Sequence, residues 1–127
     1  MFKLRSASAA WLMSLSCLVL PISVVAKPAP APVNLIKIYK YQGSLQCQGG
    51  GESLAQMRRQ LINLGVKVLI GHCGVDGLVY PMVCGAPDGR INIFTIQRKH
   101  LEKAQAQGFG VLRKLPDAQV NRCKPAA

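Results

Sequence analysis

Acid is scarce in this chain: five Asp plus Glu stand against 16 Lys plus Arg, a formal net charge of +11 at pH 7. Histidine is scarcer, with His72 and His100 alone, and no Cys-x-x-Cys pair occurs. So few titratable groups leave little for acid–base or nucleophilic catalysis. A hydrolytic set would have to combine Ser44 or Ser53, one histidine, and Asp76 or Asp88, and no motif joins them. The missing Cys-x-x-Cys removes both the usual knuckle of a zinc site and the reactive pair of a thiol oxidoreductase. Cys47, His72, Cys73 and Cys84 remain as the one metal set the residue types allow.

Aromatic residues make up only 6% of the chain, and Tyr39, Tyr41, Tyr80, Phe94 and Phe109 do not form the stacking motif of an RNA-binding sheet. The basic excess is therefore not read as nucleic-acid recognition. Gly49-Gly50-Gly51 precedes a helix start, but no Gly-Lys-Ser/Thr follows and Glu52 sits where a phosphate would. It reads as a glycine turn between Cys47 and the helix, and neither cofactor nor metal is expected.

The longest apolar run lies at the N-terminus. Lys3 and Arg5 open it, Ala7 to Val25 carry no charge, and Val24-Val25-Ala26 supplies small residues for cleavage. Residues 1–26 thus read as a signal peptide cleaved after Ala26, sending the protein to the periplasm or outside the cell. Ser6 to Ala26 is long enough to serve as a membrane anchor. Pro21 and the small residues after it favour cleavage, which leaves no stable membrane span. Lipid attachment at Cys17 is disfavoured, because Ser14 stands where a lipoprotein signal has leucine.

Cleavage removes Cys17 and leaves Cys47, Cys73, Cys84 and Cys123, an even set that reads as two disulfides in an exported chain of this size. It removes only two basic residues, so the mature protein keeps its preference for anionic surfaces or acidic proteins.

Residues 27–33 alternate proline with small residues and form an extended linker; residues 34–116 form a single domain, and 117–127 a C-terminal tail. Asn34 to Tyr41 has strand composition. Ser53 with Gln56 predicts a capping box, after which Leu54, Met57, Leu61 and Leu64 make one apolar stripe that Gly65 ends. Val66 to Ile70 reads as a buried strand, and Asp76-Gly77 as a hairpin turn with Leu78 to Val83 returning at an edge, weakened by Pro81. Arg90 to Ile96 alternates as a strand, Gln97 to Gln107 reads as a helix, and Val111 to Leu115 as a final strand.

This order predicts an α+β fold: a small antiparallel sheet with two helices on one face, a ferredoxin-like split βαβ plait with an extra β-hairpin, stabilised by disulfides. In such a plait Cys47 lies near Cys84, which leaves Cys73 with Cys123; the two other pairings stay open on spacing alone.

The residues point to a non-enzymatic binding module of the bacterial cell envelope, acting on an anionic envelope component or acidic protein. Tyr80, Pro81 and Met82, on an apolar, proline-bent stretch, are the expected protein contact, with Arg58, Arg59 and Arg90 as candidate partners for anions. An inhibitor or accessory subunit of an envelope complex is the alternative, and a small hydrolase the third reading. The oligomeric state is not encoded in any pattern found.

Overall fold

The alternation of Ile36 and Ile38 with lysine and tyrosine folds as a strand, β1 (Leu35–Tyr41). The helix α1 (Leu54–Asn63) begins as its cap predicts: the Gln56 N–H donates to Ser53 Oγ at 3.2 Å and the Ser53 N–H to Gln56 Oε1 at 2.7 Å. Its stripe buries Met57 and Leu61. There follow β2 (Val68–Val75), β3 (Arg90–Gln97), a 3-10 turn over Arg98–His100 that leads into α2 (Leu101–Ala106), β4 (Gly110–Val111) and β5 (Gln119–Asn121).

The computed structural model describes residues 22–123. The chain divides between Pro30 and Ala31. Ile22–Pro30 are exposed and lack regular structure. The other residues of the expected signal segment, 1–21, lie outside the described ones, as do the last four residues of the tail.

The protein is α+β, with one five-stranded antiparallel sheet in the order β4-β1-β3-β2-β5. Ile36 and Ile38 share a face with Phe94 and Ile96, and α1 and α2 add Met57, Leu61 and Ala104 to that core, with Phe109 beyond. Phe94 and Phe109 meet edge to face at 6.0 Å. Two disulfides, Cys47–Cys84 and Cys73–Cys123, complete it, with Cα atoms 5.1 and 5.0 Å apart. Each typically adds ~2–4 kcal/mol by restricting the unfolded chain. Such bonds belong to a non-cytoplasmic compartment. No helix among the described residues is long and apolar enough to cross a membrane.

No strand forms at Leu78 to Val83, so the extra hairpin is absent; the added strand is β5, from residues assigned to a tail. This fifth strand makes the order differ from that of a four-stranded plait. β2 starts later and runs further than expected, and it is not buried on both faces, since Leu69 and Ile70 are exposed. Gly71 does not end it, because its lack of a side chain makes room for the Phe94 ring, which a Cβ would approach at 3.3 Å. The helix expected over Gln97 to Gln107 tightens to 3-10 in its first turn, and only Gly110–Val111 of the final region pair with β1.

Residues 112–118 carry the chain from β4 to β5, that is, from one edge of the sheet to the other. Both helices pack on the Ile36 face; on the opposite face Ile91 and Ile93 are buried, and along the crossing Leu112–Lys114 lie beside β1 while Asp117 lies against Gly77, just past β2.

Phe94 is fully enclosed at the centre of the core. Phe94→Ala should cost about 3–5 kcal/mol, read as a lower urea midpoint in the oxidised protein; an unchanged midpoint would place Phe94 outside the core.

Candidate interaction site

Residues 78–87, released from any strand, are held to one end of the sheet by three sets of bonds. The first centres on Asp76, 1% exposed, just past the end of β2. Tyr41 Oη donates to its Oδ2 at 3.0 Å, Tyr80 Oη donates to the same oxygen, and the Leu78 N–H donates to Oδ1 at 2.9 Å. A buried carboxylate satisfied this way holds three chain segments together. Gly89 is required beside it: its φ is +72°, and a Cβ there would lie 2.8 Å from Asp76 Oδ1 and 2.7 Å from the Tyr80 ring.

The second set lashes the loop to residues 44–49. Gln46 Nε2 donates to the Pro81 carbonyl at 2.8 Å and the Pro87 carbonyl at 3.1 Å, while Gln46 and Gly85 or Ala86 exchange two backbone bonds of 2.9 Å. The Cys47–Cys84 disulfide closes the same junction. The third set is Asp88, which accepts from Ser44 Oγ at 2.7 Å and pairs with Arg90 Nε at 3.1 Å. Between them lies a cleft of about 250 Å³ lined by Tyr41, Ser44, Tyr80 and Arg90.

This bracing presents an apolar surface to solvent. Val79 is 98% exposed and Met82 95%, with Leu78 and Val83 also open. Of the residues expected to make a protein contact, Met82 is free, Pro81 is exposed and held through its carbonyl, and Tyr80 is a brace whose hydroxyl is taken by Asp76. The three arginines are not brought together. Arg58 and Arg59 stand on the outer side of α1, with Arg58 reaching the Val68 carbonyl at 3.5 Å, and Arg90 pairs with Asp88.

The residues of the rival chemistries are engaged elsewhere. All three sulfurs of the metal set, Cys47, Cys73 and Cys84, lie in disulfides, and no cluster of three metal-ligating side chains occurs among the described residues. Ser44 donates to a carboxylate rather than to histidine, and Ser53 caps α1. The glycine turn places Gly51 where a Cβ would overlap the Gln42 carbonyl, a packing role without a ligand.

From the sequence alone Asp76 reads as a hairpin turn residue. The local signal was real, since Leu78 N–H bonds back to it, but the bonds from Tyr41 and Tyr80 depend on the fold. Gln46 and the pairing of Ser44 with Asp88 carried no signal at all.

Comparison with protein-family models, with curated proteins and with solved structures finds no match for this chain.

Both phenols of the cluster lose protons less readily than ordinary tyrosine, near 10. For Tyr41 the main cause is loss of water around it, followed by the hydrogen bond to Asp76; for Tyr80 the order is reversed. A raised native pKa means that the stability contributed by the neutral phenols is fully present below about pH 10 and is lost as pH climbs above it. Tyr41→Phe should therefore flatten the alkaline fall in stability, measured by urea unfolding from pH 8 to 11. An identical slope in the variant would mean that Tyr41 does not bond Asp76.

Proposed function

We propose that this chain is an exported, non-enzymatic binding module of the bacterial cell envelope that docks on an acidic protein through residues 78–83, as an inhibitor or accessory subunit. The observation that carries this is Val79 and Met82, almost wholly exposed on a loop whose backbone is fixed on both sides. A pre-ordered loop gives up little conformational entropy on binding, so its apolar side chains contribute most of their burial to affinity. Isolated exposed apolar residues are common on protein surfaces. Here four of them, Leu78, Val79, Met82 and Val83, fall within six residues of one doubly anchored loop.

The preference for an acidic partner is supported by the basic excess, which a neutral or basic partner would leave uncompensated. Export is supported by the charge and hydropathy pattern of residues 1–26 together with the two disulfides. We further take the β1-α1-β2-β3-α2-β4 portion as a split βαβ plait to which β5 is added; the antiparallel pairing of β1 with β3 and β4, and of β3 with β2, supports this.

Val79→Ser with Met82→Ser touches neither the core nor any loop anchor. In protein recovered from the exported fraction, the double variant should lose its co-purified partner while its thermal midpoint moves by less than about 2 °C, as for surface changes. Partner retention by this variant would refute docking through the loop.

A further inference from the structure

At the opposite end of β1 from the braced loop, the crossing segment leaves a groove of about 710 Å³ between itself, the start of β1 and α2. That volume is in the roughly 300–1,000 Å³ range of small-molecule sites. Its wall is apolar, with Leu35 of β1, Leu101 of α2 and Leu112 and Leu115 of the crossing. Four cations stand among these leucines: Lys37, Arg98, Arg113 and Lys114.

Among the described residues no acid lines the groove. The single ion pair among the described residues is that of Arg90 with Asp88, at the other end of the sheet, so none of the four cations pairs with a carboxylate among those residues. Asp117, the nearest acid along the crossing, lies against Gly77 at the end of β2. Arg98 is oriented by a 3.1 Å bond from its Nε to Asn34 Oδ1, which leaves its terminal nitrogens available. Lys and Arg stems can also extend the apolar wall while their charged ends remain in water.

We propose that this groove binds a single-chain anionic amphiphile, an alkyl chain ending in phosphate or carboxylate, taken up as one molecule. The chain fits against the leucines and the head meets the four cations, so each half of the ligand answers one half of the lining. A water-soluble anion would leave the apolar wall uncovered, and a neutral lipid would leave the cations unanswered. The inference rests on the groove and does not require the loop to bind protein.

The test is calorimetric titration of the mature, oxidised protein with dodecyl phosphate below its micelle concentration. Dodecyltrimethylammonium, inorganic phosphate and phosphatidylglycerol vesicles are titrated alongside. One-to-one binding of dodecyl phosphate is expected, with the other three ligands weaker by at least about tenfold. Arg113→Glu with Lys114→Glu should weaken it about tenfold or more. Leu35→Ser, at a position already 44% exposed and so tolerant of change, should weaken it too. The Val79→Ser, Met82→Ser protein should bind dodecyl phosphate normally, which separates failure of the loop reading from failure of this one.

Equal affinity for inorganic phosphate or the cationic amphiphile would overturn the proposal, as would indifference to both groove variants. Binding confined to vesicles would replace it with a membrane surface, and the absence of any binding would end it.

Discussion

β3 must be covered on both faces, because every residue from Ile91 to Ile96 is buried and apolar side chains alternate to either side. One face is met by α1 and α2 through the cluster around Phe94. No helix remains for the other. The crossing 112–118, which joins β4 at one edge of the sheet to β5 at the other, is the segment left to supply that cover. Where the crossing arrives, β5 pairs with Cys73–Val75, and the Cys73–Cys123 bond joins the end of the described chain to β2. A short strand with three exposed residues would otherwise be held by little but backbone bonds.

Two buried polar side chains fix what surrounds the end of the sheet near Tyr41. Asn92, fully enclosed on the helix face, accepts from Gln42 Nε2 at 2.9 Å and donates to the Glu52 carbonyl at 3.1 Å, so it places the segment that leads into α1. Asp76, on the opposite face, places residues 78–89. Burial of either group without partners would cost more than its bonds return, which is why each is surrounded by donors or acceptors from separate segments. The geometry of the apolar loop follows from these bonds, not from a hydrophobic core of its own.

What the sequence revealed and what it hid follow from the range of the interactions. The capping box at Ser53, the stripe of Met57 and Leu61 and the alternation in β1 are local, and each stands where it was expected. The observed disulfides agree with the pairing drawn from the plait, where Cys47 with Cys84 came from neighbouring strand ends and Cys73 with Cys123 only by elimination, spacing alone leaving two other pairings open. Leu78 to Val83 misled because its residues suit a strand while Asp76-Gly77 suits a hairpin. Tertiary bonds to Asp76 and Gln46 take the backbone elsewhere. β5 was missed for the opposite reason: Gln119–Asn121 has no strand pattern and is placed by the crossing and the disulfide. Of the candidate site residues, the run Tyr80 to Met82 could be singled out by composition, whereas the groove joins Leu35 to Leu115 across most of the domain and left no trace in any window.

The two disulfides act on different parts of this arrangement. Cys73 is 7% exposed within the sheet, and its bond fastens β5 and the crossing, hence one wall of the groove. Cys47 and Cys84 are both exposed, and their bond joins two loops that contribute nothing to the cluster around Phe94. Cys47 also holds a φ of +65°, a conformation disfavoured for a residue with a side chain, and the bonds around Gln46 and Gly49 maintain it. A crosslink that lies outside the core and between loops already joined by hydrogen bonds does little to select the fold. Its effect is to narrow the motions of the segment carrying Val79 and Met82, and a restriction on an exposed apolar loop is useful where that loop has something to meet.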